Sequence, residues 1–181
     1  MKKINTFFGL YLLFSMLYSC GENPPKPVVK TVSANPVKKA TVASEVKASE
    51  PVLAQYMRIK NAMIADDSLE TKSRIKAFPS ILTVASSEQS DPQAKALINN
   101  MQGTVQEMQD SPFEQQRFQL ITLTQSLIAW QEIAPSKEPI YVQYCPMYKG
   151  GNSWLSMEEQ VLNPYYGSKM LRCGVVEKKL N

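Results

Sequence analysis

The sequence predicts an all-α domain: an up-down four-helix bundle onto which an irregular C-terminal Cys/Met tail with short extended segments packs. Four stretches between residues 50 and 134 repeat apolar residues at spacings of three and four, which is the period of one helix face. Three of these stretches begin with a polar residue closely followed by proline, a pattern typical of a helix start. The connections between the stretches are short, which favours antiparallel packing of neighbouring helices.

The N-terminus has the features of an export signal. Residues 1–3 are Met-Lys-Lys, and residues 7–17 form an apolar run that is too short to span a bilayer. The run ends in LYSCG at residues 17–21, which resembles the lipobox of bacterial lipoproteins. This resemblance implies that residues 1–19 are a signal peptide and that Cys20 is lipidated. The alternative is an ordinary secretory signal that happens to contain a cysteine.

A lipidated Cys20 would attach the protein to a membrane, because two or more acyl chains anchor stably where one does not. We expect an extracytoplasmic location, on the periplasmic side of a bacterial outer membrane. Residues 20–49 are predicted to be the lipidated cysteine and a disordered tether, since residues 21–49 are rich in Pro, Lys, Val, Ala and Ser and lack aromatic residues. The tether serves either as a searching leash or as a plain spacer. Residues 50–181 form the predicted folded domain.

The first predicted helix starts with Ser49 as its N-cap and Pro51 in its first turn, and it ends near Asp66. The second helix starts at Asp67 or Ser68. Pro79 lies within the apolar pattern of the second helix, which predicts a kink or a restart there. The apolar stripes of these two helices are Tyr56, Met57, Met63 and Ile64, and then Ile75, Phe78, Leu82 and Ala85.

The third predicted helix starts at Asp91-Pro92. The fourth starts at Ser111 to Glu114, whose Ser-x-x-Glu spacing predicts a capping box, and Pro135 stops it. Methionines on the helix faces are interpreted as core residues rather than as a metal site inside the bundle. The stripes are Ala94, Leu97, Ile98, Met101, Val105 and Met108, and then Leu120, Leu123, Leu127 and Trp130.

The tail after Pro139 contains short sequence patterns of a strand, of turns and of a helix. Residues 140–144 alternate apolar and polar side chains with high β-propensity, which predicts a strand or an extended strip. Residues 149–152 and 163–167 carry turn residues, and the segment between them, residues 153–162, is predicted to hold a short helix.

Four sulfur atoms cluster in this tail, on Cys145, Met147, Met170 and Cys173, in a chain that contains no histidine. Thiolates and thioethers are soft ligands that select Cu(I) or Ag(I). We therefore predict these four residues as the ligands of a copper(I) site. Pro146 stiffens one of the two turns that would bring a cysteine and a methionine together.

Two other roles for Cys145 and Cys173 remain open. An even pair of cysteines in an oxidising compartment commonly forms a structural disulfide. Closing a loop of this length stabilises a fold by about 3–4 kcal/mol through lost chain entropy. A reversible redox couple is the third alternative.

The tail motifs YVQYCPMY, GG-x-x-WLS and NPYYG-x-KM-x-x-CG are similar to those of an uncharacterised bacterial domain family. In that family a helical region precedes a Cys-Pro-Met and Asn-Pro-Tyr-x-Gly tail. Its members occur in lipoproteins and fused to membrane fusion (adaptor) subunits of copper/silver-type heavy-metal efflux pumps. The resemblance covers residues 52–180 and implies an efflux adaptor as partner. Family members often carry histidines in their helices, and this chain has none.

Together these features predict a lipid-anchored, copper-binding accessory protein of heavy-metal efflux or homeostasis. The alternative is a structural or interaction module that is locked by a Cys145–Cys173 disulfide and binds a partner in a membrane complex. We do not expect an enzyme, since the chain has no histidine base, nucleophile elbow or phosphate loop. A net charge of +4 without a basic stripe argues against nucleic acid as a partner.

Overall fold

The computed structural model describes the backbone of residues 39–180 and the side chains of residues 49–180. The predicted signal peptide, the lipidation site at Cys20 and the tether up to residue 38 lie outside the described residues. Four helices come first along the chain: α1 Lys39–Ile64, α2 Ser68–Glu88, α3 Pro92–Asp110 and α4 Phe113–Ile133. Consecutive helices contact one another, so the helical part packs as a bundle.

The prediction of an all-α fold is wrong, because the tail forms a three-stranded antiparallel sheet. The strands are β1 Ile140–Cys145, β2 Asn152–Ser156 and β3 Val175–Leu180, in the order β2-β1-β3. A short 3-10 helix at Gly167–Met170 precedes β3. The fold is therefore a mixed one, with a small sheet packed on a helical bundle through α4 and β2.

The predicted helix at residues 153–162 is also wrong, since most of β2 lies in this segment. Trp154 pairs with Gln143 of β1, and Leu155 pairs with Val142. Gly150 and Gly151 both adopt positive φ in the connecting turn, a conformation that glycine adopts without steric cost. Closing this hairpin turn places Trp154 and Leu155 in the core, where burial of their side chains outweighs local helix propensity.

The helix starts were predicted with mixed success. Asp67 and Asp91 are N-caps as expected, and their carboxylates accept hydrogen bonds from the N–H groups of Glu70 and Ala94 at 2.8 and 2.9 Å. α1 begins at Lys39, so Pro51 lies inside the helix rather than in its first turn. The preceding residues are rich in Ala, Glu and Lys, which favour helix and extend it upstream.

The predicted capping box at the start of α4 does not form. Pro112 is the N-cap of α4 and makes no side-chain capping bond. The Ser111 hydroxyl instead donates to the Glu107 carbonyl at 2.8 Å, because the very short connection keeps Ser111 in the last turn of α3. α2 continues through Pro79 to Glu88 without the predicted restart.

The core joins the four helix stripes to the inner side of the sheet. The predicted role of Met57, Met63, Met101 and Met108 as core residues is confirmed, because all four are buried. Trp130 of α4 and Trp154 of β2 are the largest buried side chains. The sheet thus completes a core that the helices alone would leave open.

A buried arginine connects the bundle to the tail. Arg117 of α4 is almost fully buried, and its guanidinium donates hydrogen bonds to the Asp66 carboxylate and to the Pro164 carbonyl. It also stacks over the Phe113 ring, with 4.5 Å between the guanidinium carbon and the ring centroid. Asp66 follows the end of α1, so one cation holds α1, α4 and the tail together.

The Asp66 carboxylate has a second partner in the tail. Its Oδ2 accepts a hydrogen bond from the backbone N–H of Ser168 at 2.9 Å. Hydrogen bonds from Ser168, with the Arg117 charge as a further cause, lower the pKa of Asp66 below its ordinary value. The carboxylate therefore stays charged beside Arg117 under mildly acidic conditions.

We expect Asp66→Asn to destabilise the fold by about 3 kcal/mol, because it leaves the buried Arg117 charge uncompensated. This value is at the lower end of the range for buried pairs, since the Asp66 side chain is 37% exposed. Urea denaturation of the full chain measures it. Glu70→Gln is the matched control, because it breaks the exposed Arg74–Glu70 pair and should cost under about 1 kcal/mol. Equal costs for the two variants would contradict the assigned role of Arg117.

Candidate functional site

The two cysteines of the tail meet. Cys145 is the last residue of β1 and is fully buried, whereas Cys173 lies just before β3 and is partly exposed. Their Sγ atoms are 3.2 Å apart, and both are free thiols. The hydrogen bond with Cys145 is the main reason why the pKa of the Cys173 thiol is raised. The structure therefore brings together the two strongest of the four predicted ligands.

The 3.2 Å distance between the two Sγ atoms lies between the sulfur–sulfur distances of a disulfide and of a metal-bound thiolate pair. A disulfide bond is about 2.05 Å long. Two thiolates on a tetrahedral zinc-sized ion, each about 2.3 Å from the metal, are about 3.8 Å apart. A sulfur displacement of roughly an ångström or less therefore leads from the observed contact to either state.

The two predicted methionine ligands are solvent-exposed side chains on the segments that flank the thiols. Met147 is 63% exposed and Met170 is 39% exposed, unlike the buried methionines of the bundle. Their backbones are held in place, since the Met147 carbonyl accepts from the Tyr166 hydroxyl at 2.9 Å and the Met170 carbonyl accepts from the Cys173 N–H at 3.0 Å. The thioether groups of Met147 and Met170 are therefore partly open to solvent rather than packed in the core.

Asn163 fixes the turn that carries Cys173. Its side-chain oxygen accepts hydrogen bonds from the N–H groups of Tyr165 and Tyr166 at 2.8 and 3.2 Å. Its side-chain amide donates to the Cys173 carbonyl at 2.7 Å. The Asn-Pro-Tyr-Tyr-Gly segment thus holds the backbone of Cys173 in the position that lets its thiol meet Cys145.

Gly167 ends this segment at a point where a side chain does not fit. Its φ is +56°, and a Cβ atom there would lie 2.0 Å from the Asp66 carboxylate oxygen. Sequence reasoning recognised the turn but missed its partners, Asp66 and Arg117. The Asn-Pro and Gly residues were the available signal, and nothing local in the sequence shows the contact with α1 and α4.

A buried tyrosine attaches the sheet to the bundle. The Tyr56 hydroxyl of α1 shares a 2.7 Å hydrogen bond with the Thr124 hydroxyl of α4 and accepts from the Leu155 N–H of β2 at 3.1 Å. Burial raises the pKa of Tyr56 to about 12. The phenol therefore stays protonated and keeps both hydrogen bonds across the neutral pH range.

A buried lysine lies at the same junction. Lys60 of α1 is buried, and its Nζ atom is 3.5 Å from the Ser156 hydroxyl at the end of β2. Burial lowers the pKa of Lys60 to about 8, and the nearby Glu158 charge only partly offsets this shift. At neutral pH the fold thus carries a poorly solvated ammonium group.

Within residues 49–180, no group of three or more His, Cys, Asp or Glu side chains is placed to hold a metal ion. None of the helices in the described part of the chain is both long and apolar enough to cross a membrane.

Comparison of the chain with protein-family models, with curated proteins and with solved structures finds no match.

We expect Gly167→Ala to destabilise the fold by at least about 1 kcal/mol, since alanine combines a left-handed backbone with a clash against Asp66. Thermal unfolding of the full chain measures the change. Gly103→Ala is the matched control: Gly103 lies inside α3 with open space around it, so this variant should gain about 0.5–1 kcal/mol. A neutral Gly167→Ala would show that the turn tolerates a side chain.

We expect Lys60→Met to be more stable than the wild type at pH 7, by up to about 3 kcal/mol. The unfolded chain binds more protons at Lys60 than the folded chain between about pH 8 and 10.5, so the stability of the wild type rises with pH across this window. The advantage of the variant should therefore shrink as the pH rises from 8 to 10.5. Denaturant titrations across this range measure it. Lys72→Met is the matched control, because it makes the same substitution at an exposed position of α2.

Proposed function

We propose that this protein is a lipid-anchored, extracytoplasmic accessory protein that binds Cu(I) through the thiols of Cys145 and Cys173. The observation that carries the proposal is the 3.2 Å contact between the two Sγ atoms. Met147 and Met170 are proposed as supplementary thioether ligands, because they lie two residues after Cys145 and three residues before Cys173.

The donor set fits a soft monovalent ion. Thiolate and thioether sulfur favour Cu(I), whereas imidazole and carboxylate ligands favour harder ions. The chain has no histidine, so its tail offers sulfur without the commonest competing nitrogen ligand. The thiol separation is about 0.6 Å shorter than that of two sulfurs on a tetrahedral ion, a difference that rotation of the partly exposed Cys173 side chain can supply.

The cellular setting of the proposal rests on the sequence. The lipobox-like residues 17–21 support anchoring through Cys20, and the tether after Cys20 would let the domain reach partners near the membrane. The tail motifs support an adaptor subunit of a copper/silver-type efflux pump as the partner. In this setting the protein would buffer Cu(I) or pass it to the pump.

A second candidate uses the same contact. The Asn163 side-chain amide donates to the Cys173 carbonyl and holds its backbone, and the two Sγ atoms lie 3.2 Å apart. This favours a module locked by a Cys145–Cys173 disulfide, with a protein of a membrane complex as its partner. Thiol counting on the natively purified and then denatured chain separates the candidates: no reactive thiol and no bound metal supports the disulfide.

We expect the reduced full chain to compete with a chromophoric chelator for Cu(I), and the Cys145→Ser variant to lose this competition. Absorbance of the chelator complex during the titration measures both. Met170→Leu should weaken binding by about tenfold, equivalent to about 1.4 kcal/mol, because it removes one soft ligand.

Met157→Leu is the matched control for Met170→Leu, since Met157 is 38% exposed in the same tail and is not a proposed ligand. It should bind Cu(I) as the wild type does. Failure of the reduced wild type to compete at any chelator strength, or unchanged binding by Cys145→Ser, would reject the copper proposal.

A further inference from the structure

Strand β3 is held on the sheet mainly through its pairing with β1. Its side chains from Val175 to Lys179 are exposed, and Val175 is 57% exposed. β3 lies at one edge of the sheet, and its only strand partner among the described residues is β1. A strand with little buried side-chain area opens locally at low free energy.

The pairing of β3 with β1 is also interrupted. Val142 pairs with Lys178 while the next residue, Gln143, pairs with Val176, so Glu177 has no partner in the register. Such a bulge removes regular ladder contacts at one position. Val175 and Val176 are therefore separated from the rest of β3 and depend on their pairs with Tyr144 and Gln143.

The thiol pair lies at this separated end of β3. Cys145 directly follows the β1 residues that pair with Val175 and Val176, and Cys173 is two residues before Val175. A covalent bond between the two sulfurs would therefore tie β3 to β1 next to the pairs that the bulge separates from the rest of the strand.

We propose that Cys145 and Cys173 form a thiol–disulfide exchange site that controls the attachment of β3, with Cys173 as the attacking sulfur and Cys145 as the resolving sulfur. The difference in exposure assigns the order, because an external disulfide can approach the partly exposed Cys173 but not the fully buried Cys145. The 3.2 Å separation assigns the second step, since reacting atoms about 3–3.5 Å apart are at near-attack distance.

The oxidant in this exchange is a low-molecular-weight disulfide. The Cys173 thiolate attacks one sulfur of the reagent, the reagent's S–S bond breaks, and one reagent thiol leaves. The Cys145 thiolate then attacks the Cys173 sulfur, the mixed disulfide breaks, and the second reagent thiol leaves. Two electrons pass from the cysteine pair to the reagent, and the two protons end on the released thiols.

The thiol pair thus acts as a latch on β3. In the reduced state β3 opens readily from β1, and in the oxidised state it does not.

The test treats the reduced full chain with oxidised glutathione in the presence of a metal chelator. Mass spectrometry should find a mixed disulfide on Cys173 in the Cys145→Ser variant. It should find modification of Cys145 in the Cys173→Ser variant at least about tenfold more slowly, because Cys145 is buried. Equal rates for the two variants would overturn the assigned order.

Hydrogen exchange of the wild type tests the latch without any substitution. The amides of Val175 and Val176 should exchange about tenfold more slowly after oxidation, whereas the amides of α3 should be unchanged. Equal exchange of β3 in both states would overturn the control of its attachment. Because no metal is present, this result is independent of the copper titration, and either proposal can fail alone.

Discussion

The buried guanidinium of Arg117 is the interaction on which the arrangement of this domain depends. A buried cation is costly unless its partners are fixed, and here the partners come from both sides of the fold: Asp66 after α1 and the Pro164 carbonyl in the tail. The bundle therefore satisfies Arg117 fully only when the tail supplies the Pro164 carbonyl. Bundle and tail thus stabilise each other through this side chain, in addition to the shared core and the Tyr56 hydrogen bonds.

The position of the thiol pair follows from this contact. Arg117 and Asp66 hold the segment from Pro164 to Ser168, and Asn163 within the same turn holds the carbonyl of Cys173. β1 supplies the other thiol from the centre of the sheet. Neither cysteine is positioned by the other alone, so the contact between their sulfurs reports the folding of the whole tail.

Local signals in the sequence were reliable where the structure depends on local contacts. Asp67 and Asp91 cap their helices because each bonds an N–H three residues later, and the methionine stripes are buried because helical period fixes their face. Ser111 does not cap α4, because its hydroxyl donates to the Glu107 carbonyl of α3. β2 was missed because its pairing with β1 and the burial of Trp154 and Leu155 define this strand, rather than a local apolar pattern. The Cys145–Cys173 contact was anticipated by counting cysteines, but Asp66 and Arg117 are 51 residues apart and carried no signal.

The bulge at Glu177 affects how the β3 edge can pair with another copy of the chain. Exposed edge strands tend to pair with other chains, and bulges and lysines are common means of preventing this. β3 has an irregular register at Glu177 and carries Lys178 and Lys179 beside it. The irregular, basic edge therefore makes fibril-like, edge-to-edge stacking of copies of this domain unfavourable.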